Sequence, residues 1–346
     1  MRSTVNFEER QTTTSSDLPL RWGILGTGTI AADFATDIAL LNDATVAAVG
    51  SRSQAAADAF SERFAIPHQH GSYDALVRDP DVDVVYVATP HVAHYENAML
   101  AISGGKNVLV EKPFTINARQ AKDLVAAARK SGVFLMEAMW MRFLPHVVEI
   151  RELLAARVLG QVRTVTADLG TRFPHDAESR IFAPALGAGA LLDMGVYPVS
   201  FAWMVLGAPT GITAVSDQTF TGVDAQTSII LQYADGSHAV LTTTLEAEGA
   251  GRATIIGTDA RIEIDRIFHR PSSFSLIYPD GTTNRHEHTP VGNGLRYEAI
   301  EVARCIRAGL SESPAMPLDE SVQIMETLDE IRRQIGLIYP GEQHAE

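Results

Sequence analysis

From Arg21 to about Gly132 short apolar runs alternate with longer helical patterns, and this alternation constrains the fold more than any other feature of the chain. The runs "RWGILG", "TVAAVGSR", "VDVVYVATP" and "NVLVEKP" are separated by "IAADFATDIALL", "SQAAADAFSERF" and "ENAMLAISGG", and "ARQAKDLVAAARKSG" follows the last. Parallel neighbours in a sheet need a crossover between them, and right-handed crossovers cover both faces with helices. The pattern therefore predicts an α/β region built on a parallel sheet. Gly104-Gly105 and Gly132 stand where helices should stop.

After Phe134 the pattern changes, and from Gln161 onward the strands are period-two and joined by tight turns at Asp235-Gly236, Thr258-Asp259 and Asp280-Gly281. Consecutive hairpins predict a large, mainly antiparallel sheet with few covering helices, whose open face needs a partner. A homodimer or higher homo-oligomer through that sheet is expected. Helices around Leu295 to Gly309 and Leu318 to Ile335 close the chain. The expected division is a loose polar arm at 1–17, a nucleotide-binding domain at 18–138, and a substrate-binding and oligomerisation domain at 139–346.

"GILGTGTIA" sets Gly26, Gly28 and Ala31 in a G-x-G-x-x-A spacing directly after a strand and before a helix. Glycines there permit a tight turn and let a pyrophosphate approach the backbone, while a small residue at 31 allows close packing, as in a Rossmann dinucleotide site. At the exit of the second strand, where NAD enzymes usually carry an acid, the chain reads "GSRS". Ser51 and Arg52 supply hydroxyl and cationic donors suited to the 2'-phosphate of NADP, with NAD the lesser alternative. Asp43 precedes that strand and is too early to act as the acid.

Two further strands end in Thr89-Pro90-His91 and Glu111-Lys112-Pro113, at the sheet edge where such folds bind ligands. Pro113 keeps Lys112 extended instead of helical. In "GALLDMGVYPVSF" Asp193 and Tyr197 lie four apart within an apolar stretch, so in a helix both would share a face. On spacing alone two readings stand: both line the crevice, with Lys112 lowering the phenol's pKa, or they are a cap and an ordinary helix tyrosine.

A formal net charge of −14 argues against nucleic acid and anionic membrane as partners. No apolar run approaches the roughly 20 residues of a membrane span, and no signal core is visible, so a cytoplasmic location is expected. The single cysteine, Cys305, reads as a buried apolar residue. His68 with His70 and His286 with His288 have metal-like spacing, but no cysteine or carboxylate set is seen to complete either pair, and no metal is expected. A G-x-S-x-G elbow, a G-K-[ST] loop and a Tyr-x-x-x-Lys helix are all absent, against a serine hydrolase, a kinase and a short-chain reductase.

"GILGTGTIA", "VATPHVAH", "GGKNVLVEKPF", "MEAMWMRFLP", "ESRIFAPALGAGALLDMGVYP" and "GNGLRYEA" together resemble the Gfo/Idh/MocA oxidoreductases, and within them the dihydrodiol and D-xylose dehydrogenase branch, from about Arg21 to the C-terminus. The resemblance implies a Rossmann domain followed by an α/β domain with an open oligomerising sheet. It also implies that Lys112 contacts nicotinamide and substrate hydroxyl, and that Tyr197 transfers the proton; Asp193 is expected as the third catalytic residue, orienting the substrate. Cofactor contacts are then expected from Gly26, Thr27, Gly28, Thr29, Ile30, Ser51, Arg52, Thr89, His91, His94, Glu111, Lys112, Trp140 and Arg142, and substrate contacts from Phe173, Asp193 and Tyr197. Gly187-Ala188-Gly189 replaces the family's usual glycine triplet, a change expected to narrow the substrate entrance. The expected activity is hydride transfer between NADP and a secondary alcohol or hemiacetal carbon of a sugar or cyclic diol. The alternatives are a non-catalytic NAD(P)-binding regulator and a redox-neutral sugar-processing enzyme holding NAD tightly.

Overall fold

The computed structural model describes residues 18–342, so the expected arm at 1–17 lies outside the described residues. Six parallel strands, β1 (Leu20–Leu25), β2 (Ala44–Gly50), β3 (His68–His70), β4 (Val84–Val87), β5 (Asn107–Glu111) and β6 (Leu135–Ala138), form one sheet in the order β3-β2-β1-β4-β5-β6. All four residues of β4 are buried, as a strand covered on both faces requires. The chain leaves β1 toward β2 and returns to β4 on the other side, so the strand order reverses at β1 and a crevice opens beyond the strand ends.

Helices α1 (Thr29–Ile38), α2 (Gln54–Phe64), α3 (Tyr73–Val77), α4 (His94–Ser103) and α5 (Ala118–Ser131) make the crossovers. In α5 the buried residues Ala121, Leu124, Val125 and Ala128 recur at helical spacing. Asn117 caps it by accepting from the Gln120 N–H, and Gly132 ends it at φ +68°.

The second sheet holds β7 (Val162–Gly170), β8 (Gly211–Gln218), β9 (Asp224–Gln232), β10 (His238–Thr244), β11 (Ala253–Gly257), β12 (Arg261–Ile264), β13 (Phe274–Ile277) and β14 (Thr283–His286). Its order is β14-β13-β12-β11-β7-β10-β9-β8, antiparallel except for the β7–β10 pair. The three expected turns join β9 to β10, β11 to β12 and β13 to β14, with Gly236 and Gly281 at φ +80° and +88°. Along β9 burial alternates, and the solvent face carries Ile230 opposite Val240 and Thr213. That row continues through Thr166 to Thr254, and none of these side chains is covered by a helix.

Helix α6 (Pro145–Ala155) precedes the sheet, and α7 (Val196–Leu206) packs on the inner side of β7 and β10. The two closing helices, α8 (Arg296–Arg307) and α9 (Leu318–Ile335), return to the first sheet and contact α1 and α5. One sequence expectation needs correction here. Pro184–Leu206 does reach membrane-spanning length, 23 residues with a window of mean hydropathy 1.4, but 83% of that window is buried inside the fold.

Candidate active site

The first wall of the site is backbone. Gly26 has φ +115°, and a Cβ there would lie 2.5 Å from the carbonyl oxygen of Ala88, so β1 and β4 meet this closely only without a side chain. Gly28 precedes α1 with no side-chain cap, whereas α2 and α5 are capped by Ser53 and Asn117. The first N–H groups of α1 are thus left to an external acceptor, and a Cβ at Gly28 would meet nothing within 4 Å. This cradle fits the pyrophosphate of a dinucleotide. Ser51 and the exposed Arg52 follow at the β2 exit, with no acid beside them in the chain, and Asp43 is paired with Arg307 at 2.5 Å before the other end of that strand.

Glu111 and Lys112 lie side by side in sequence and face opposite ways, as extended neighbours do. Glu111 accepts from the Tyr86 hydroxyl in the core. The Lys112 ammonium donates to the Asp193 carbonyl oxygen at 2.6 Å, lies 3.4 Å from its Oδ1, and stands 4.9 Å from the centroid of the Tyr197 ring. A plain Glu–Lys surface pair is excluded by this geometry. The phenol oxygen of Tyr197 accepts from Trp140 Nε1 at 2.7 Å.

Asp193 sits in a π-helical turn, Leu191–Gly195, that runs directly into α7 and Tyr197. The turn is fixed by Asp224, which accepts from the Leu191 N–H at 2.7 Å and from Thr227 at 2.9 Å. Gly189, at φ +118°, allows this approach, because a Cβ there would fall 2.1 Å from Asp224 Oδ1. Ala188 is fully buried, its carbonyl accepting from Tyr339 at 2.6 Å, and it does not line the cavity. The Gly-Ala-Gly variant therefore does not narrow the entrance.

Burial pushes the Tyr197 phenol up to about 12, against the pull of Lys112 and with the help of Glu111. The expected lowering by Lys112 is corrected by this: the ammonium acts in the expected direction, and desolvation outweighs it. Burial also opposes the Lys112 charge, yet Tyr197, Asp193 and Glu111 together hold its pKa above the ordinary lysine value. Asp193 is buried too, and Lys112, Arg180 and His91 keep its carboxyl well below the usual range. The resting site thus pairs a carboxylate with an ammonium beside a neutral phenol.

Every residue expected at the site lines one cavity of about 840 Å³, except Arg142. Arg142 belongs to the short helix Trp140–Phe143 and turns inward, bonding Ser200 and pairing with Glu320 at 2.6 Å. It ties α7 to α9 and does not line that cavity. His94 is fully buried, with its ring nitrogens 2.9 Å and 2.8 Å from the carbonyls of Thr89 and Pro113. Burial lowers its pKa to about 4, so the neutral ring donates to only one of them. His91, lowered to about 3 by burial, holds the Gly187 carbonyl at 3.0 Å.

Among the cavity residues that sequence reasoning missed, two touch the reacting groups directly. Arg180 pairs with Asp193 at 2.8 Å, and His269 stacks on the Tyr197 ring at 4.4 Å between centroids. Neither has a local signature, since each reaches the site from a loop of irregular spacing. The statement that no carboxylate completes the histidine pairs is also corrected: Asp79 contacts His68 and His70, and Glu149 contacts His286 and His288.

Residues 20–139 match the model of the GFO/IDH/MocA oxidoreductase family with an NAD-binding Rossmann fold, and residues 147–263 match a C-terminal domain model of that family. A trans-1,2-dihydrobenzene-1,2-diol dehydrogenase from Xenopus laevis is 39% identical over 92% of this chain and 99% of its own length. The enzyme of that name from Bos taurus is 36% identical over 94% and 100%. Among solved structures, an aldose-aldose oxidoreductase from Caulobacter crescentus matches with a TM-score of 0.84 at 26% identity, covering 91% of this chain and 97% of its own. A 3-ketoreductase from Actinomadura kijaniata, solved with NADP and TDP-benzene, matches with a TM-score of 0.81 at 27% identity over 92% and 98%.

Proposed function

From the premise that this chain belongs to the GFO/IDH/MocA oxidoreductase family and is a dehydrogenase acting on a CH–OH group, we propose that it moves hydride between NADP and a secondary alcohol or hemiacetal carbon of a sugar or cyclic diol. One observation carries the reading: Lys112 and the Asp193–Tyr197 segment, remote from each other in sequence, meet over the cavity that begins at the uncapped end of α1. In this reading residues 18–138 carry the dinucleotide, residues 139–346 carry the substrate, and Arg52 reads the 2'-phosphate. The dihydrodiol dehydrogenase relatives and the sugar-active neighbours support a polyhydroxylated or cyclic diol substrate.

The dinucleotide, when bound, accepts or supplies the hydride. Tyr197 takes the hydroxyl proton in oxidation and returns it in reduction. The Lys112 ammonium donates to the reacting oxygen as its charge develops, and Asp193 holds that ammonium in place. Trp140 bonds the phenol oxygen and so stabilises its ionised form. Phe173 offers a flat apolar wall at the cavity.

The bare row from Thr213 to Thr254 on the outer face of the second sheet is the surface we assign to a second copy of the chain. A cytoplasmic location accords with a single unpaired and buried cysteine.

The test is Tyr197→Phe. NADP reduction is followed by absorbance on a panel holding trans-1,2-dihydrobenzene-1,2-diol, D-xylose and related sugars. Turnover of the best substrate should fall about a hundredfold or more while NADP still binds. Undiminished turnover in the variant contradicts the assignment. Mass spectrometry of the nucleotide released on denaturation reports which dinucleotide the chain carries and how firmly.

A further inference from the structure

We propose that His68, His70 and Asp79 form a divalent metal site, best suited to zinc, at the edge of the first sheet and apart from the reacting groups. His68 and His70 are two apart on the short edge strand β3, so both side chains leave the same face. Asp79, nearly sealed from solvent, brings a single oxygen to both: Oδ2 lies 2.7 Å from His68 Nδ1 and 2.9 Å from His70 Nε2. These three donor atoms all fall within 4.8 Å of one another. Two nitrogens and a carboxylate oxygen are a zinc donor set, with solvent able to complete a tetrahedron.

The surroundings orient these donors as a metal site requires. Asp79 Oδ1 accepts from the Asp81 N–H at 2.8 Å, which fixes the carboxylate plane. The remaining nitrogen of His68, Nε2, faces Asp81 Oδ2 at 4.0 Å. That separation is beyond hydrogen-bond reach, so Asp81 sets the ring's tautomer only if it closes on Nε2 when a metal binds. Zinc bonded at its usual length needs donor separations of about 3.3 Å, so the group must open by about half an ångström. His68, 39% exposed on a three-residue edge strand, has room to do so.

The second histidine pair lacks this convergence. Glu149 gives a separate oxygen to each ring, Oε1 to His286 and Oε2 to His288, and His286 Nε2 is buried without a partner. It serves here as the internal control.

The test is a zinc titration of the full chain, stripped with a chelator, by isothermal calorimetry. One ion per chain is expected in the wild type. His70→Gln and Asp79→Asn should each weaken it about tenfold or more, and His288→Gln should leave it unchanged. Anomalous diffraction at the zinc edge should place the ion between His68, His70 and Asp79. Three results overturn the proposal: no binding at micromolar zinc, binding that survives both substitutions, or loss of binding in His288→Gln. Melting curves in chelator show whether the variants fold, and His68→Gln replaces either one that does not. All these readouts are independent of dehydrogenase activity.

Discussion

The two ends of the cavity are built by opposite means. At the adenosine end the wall is defined by what is missing: no Cβ at Gly26 or Gly28, no side-chain cap on α1, no acid following β2. At the reacting end it is crowded with charge, as the buried Lys112 and the exposed Arg180 both hold the buried Asp193 beside a neutral phenol. A binding seat for a charged, flexible cofactor is shaped by backbone donors that need no reorganisation, whereas chemistry needs side chains whose charge is fixed before substrate arrives. Substitutions at the two ends should therefore separate binding from turnover.

The largest separation is expected from Lys112→Ala. Its ammonium is the donor for the reacting oxygen and the counter-charge of Asp193, and its removal leaves that carboxylate with Arg180 alone as a cation in contact. Turnover should fall about a thousandfold, with the dissociation constant for NADP changed only severalfold. Stopped-flow turnover and fluorescence titration of the same preparation decide it. A loss in NADP affinity as large as the loss in turnover would erase the distinction between the two ends.

A smaller and reversed effect is expected from Arg52→Ala. The side chain is exposed at the β2 exit, so its loss costs little packing. The Michaelis constant for NADP should rise about tenfold or more, as for a lost hydrogen bond to a charged group, while that for NAD and the limiting rate with saturating NADP stay near wild type. Equal changes for the two dinucleotides would remove Arg52 from phosphate recognition.

The same contrast explains what could be read from the chain. Gly26 and Gly28 were legible because the seat is backbone geometry and its spacing is local. Lys112 was legible because a strand exit at the switch point has a known address. Arg142 was misplaced because the sequence cannot tell which way a one-turn helix faces, and here its partners Ser200 and Glu320 come from α7 and α9. Arg180 and His269 went unseen because their contacts bridge 13 and 72 residues of irregular chain, 193 minus 180 and 269 minus 197. Asp79 escaped for a related reason, since the loop after α3 folds back on β3 only in three dimensions. The sign of the Tyr197 shift was inaccessible as well: it is a difference between burial and a neighbouring charge, and burial is a tertiary quantity.

That sign shapes the smallest and most specific prediction. With its phenol near 12, Tyr197 is protonated at neutral pH. Reduction uses the protonated form and should be insensitive to this group from pH 6 to about 10, whereas oxidation uses the ionised form and should rise with pH across that range. Trp140 donates to the phenol oxygen, and a donor favours phenolate over phenol, so its loss moves the pKa further up. Trp140→Phe keeps an aromatic wall and removes the donor. Oxidation should slow about fivefold at each pH below the phenol's pKa, the worth of about one neutral hydrogen bond. Reduction should change less, because the protonated phenol gains less from that bond. Equal losses in both directions would make Trp140 a packing residue, and the reacting end would then depend on its ammonium alone to steady the ionised phenol.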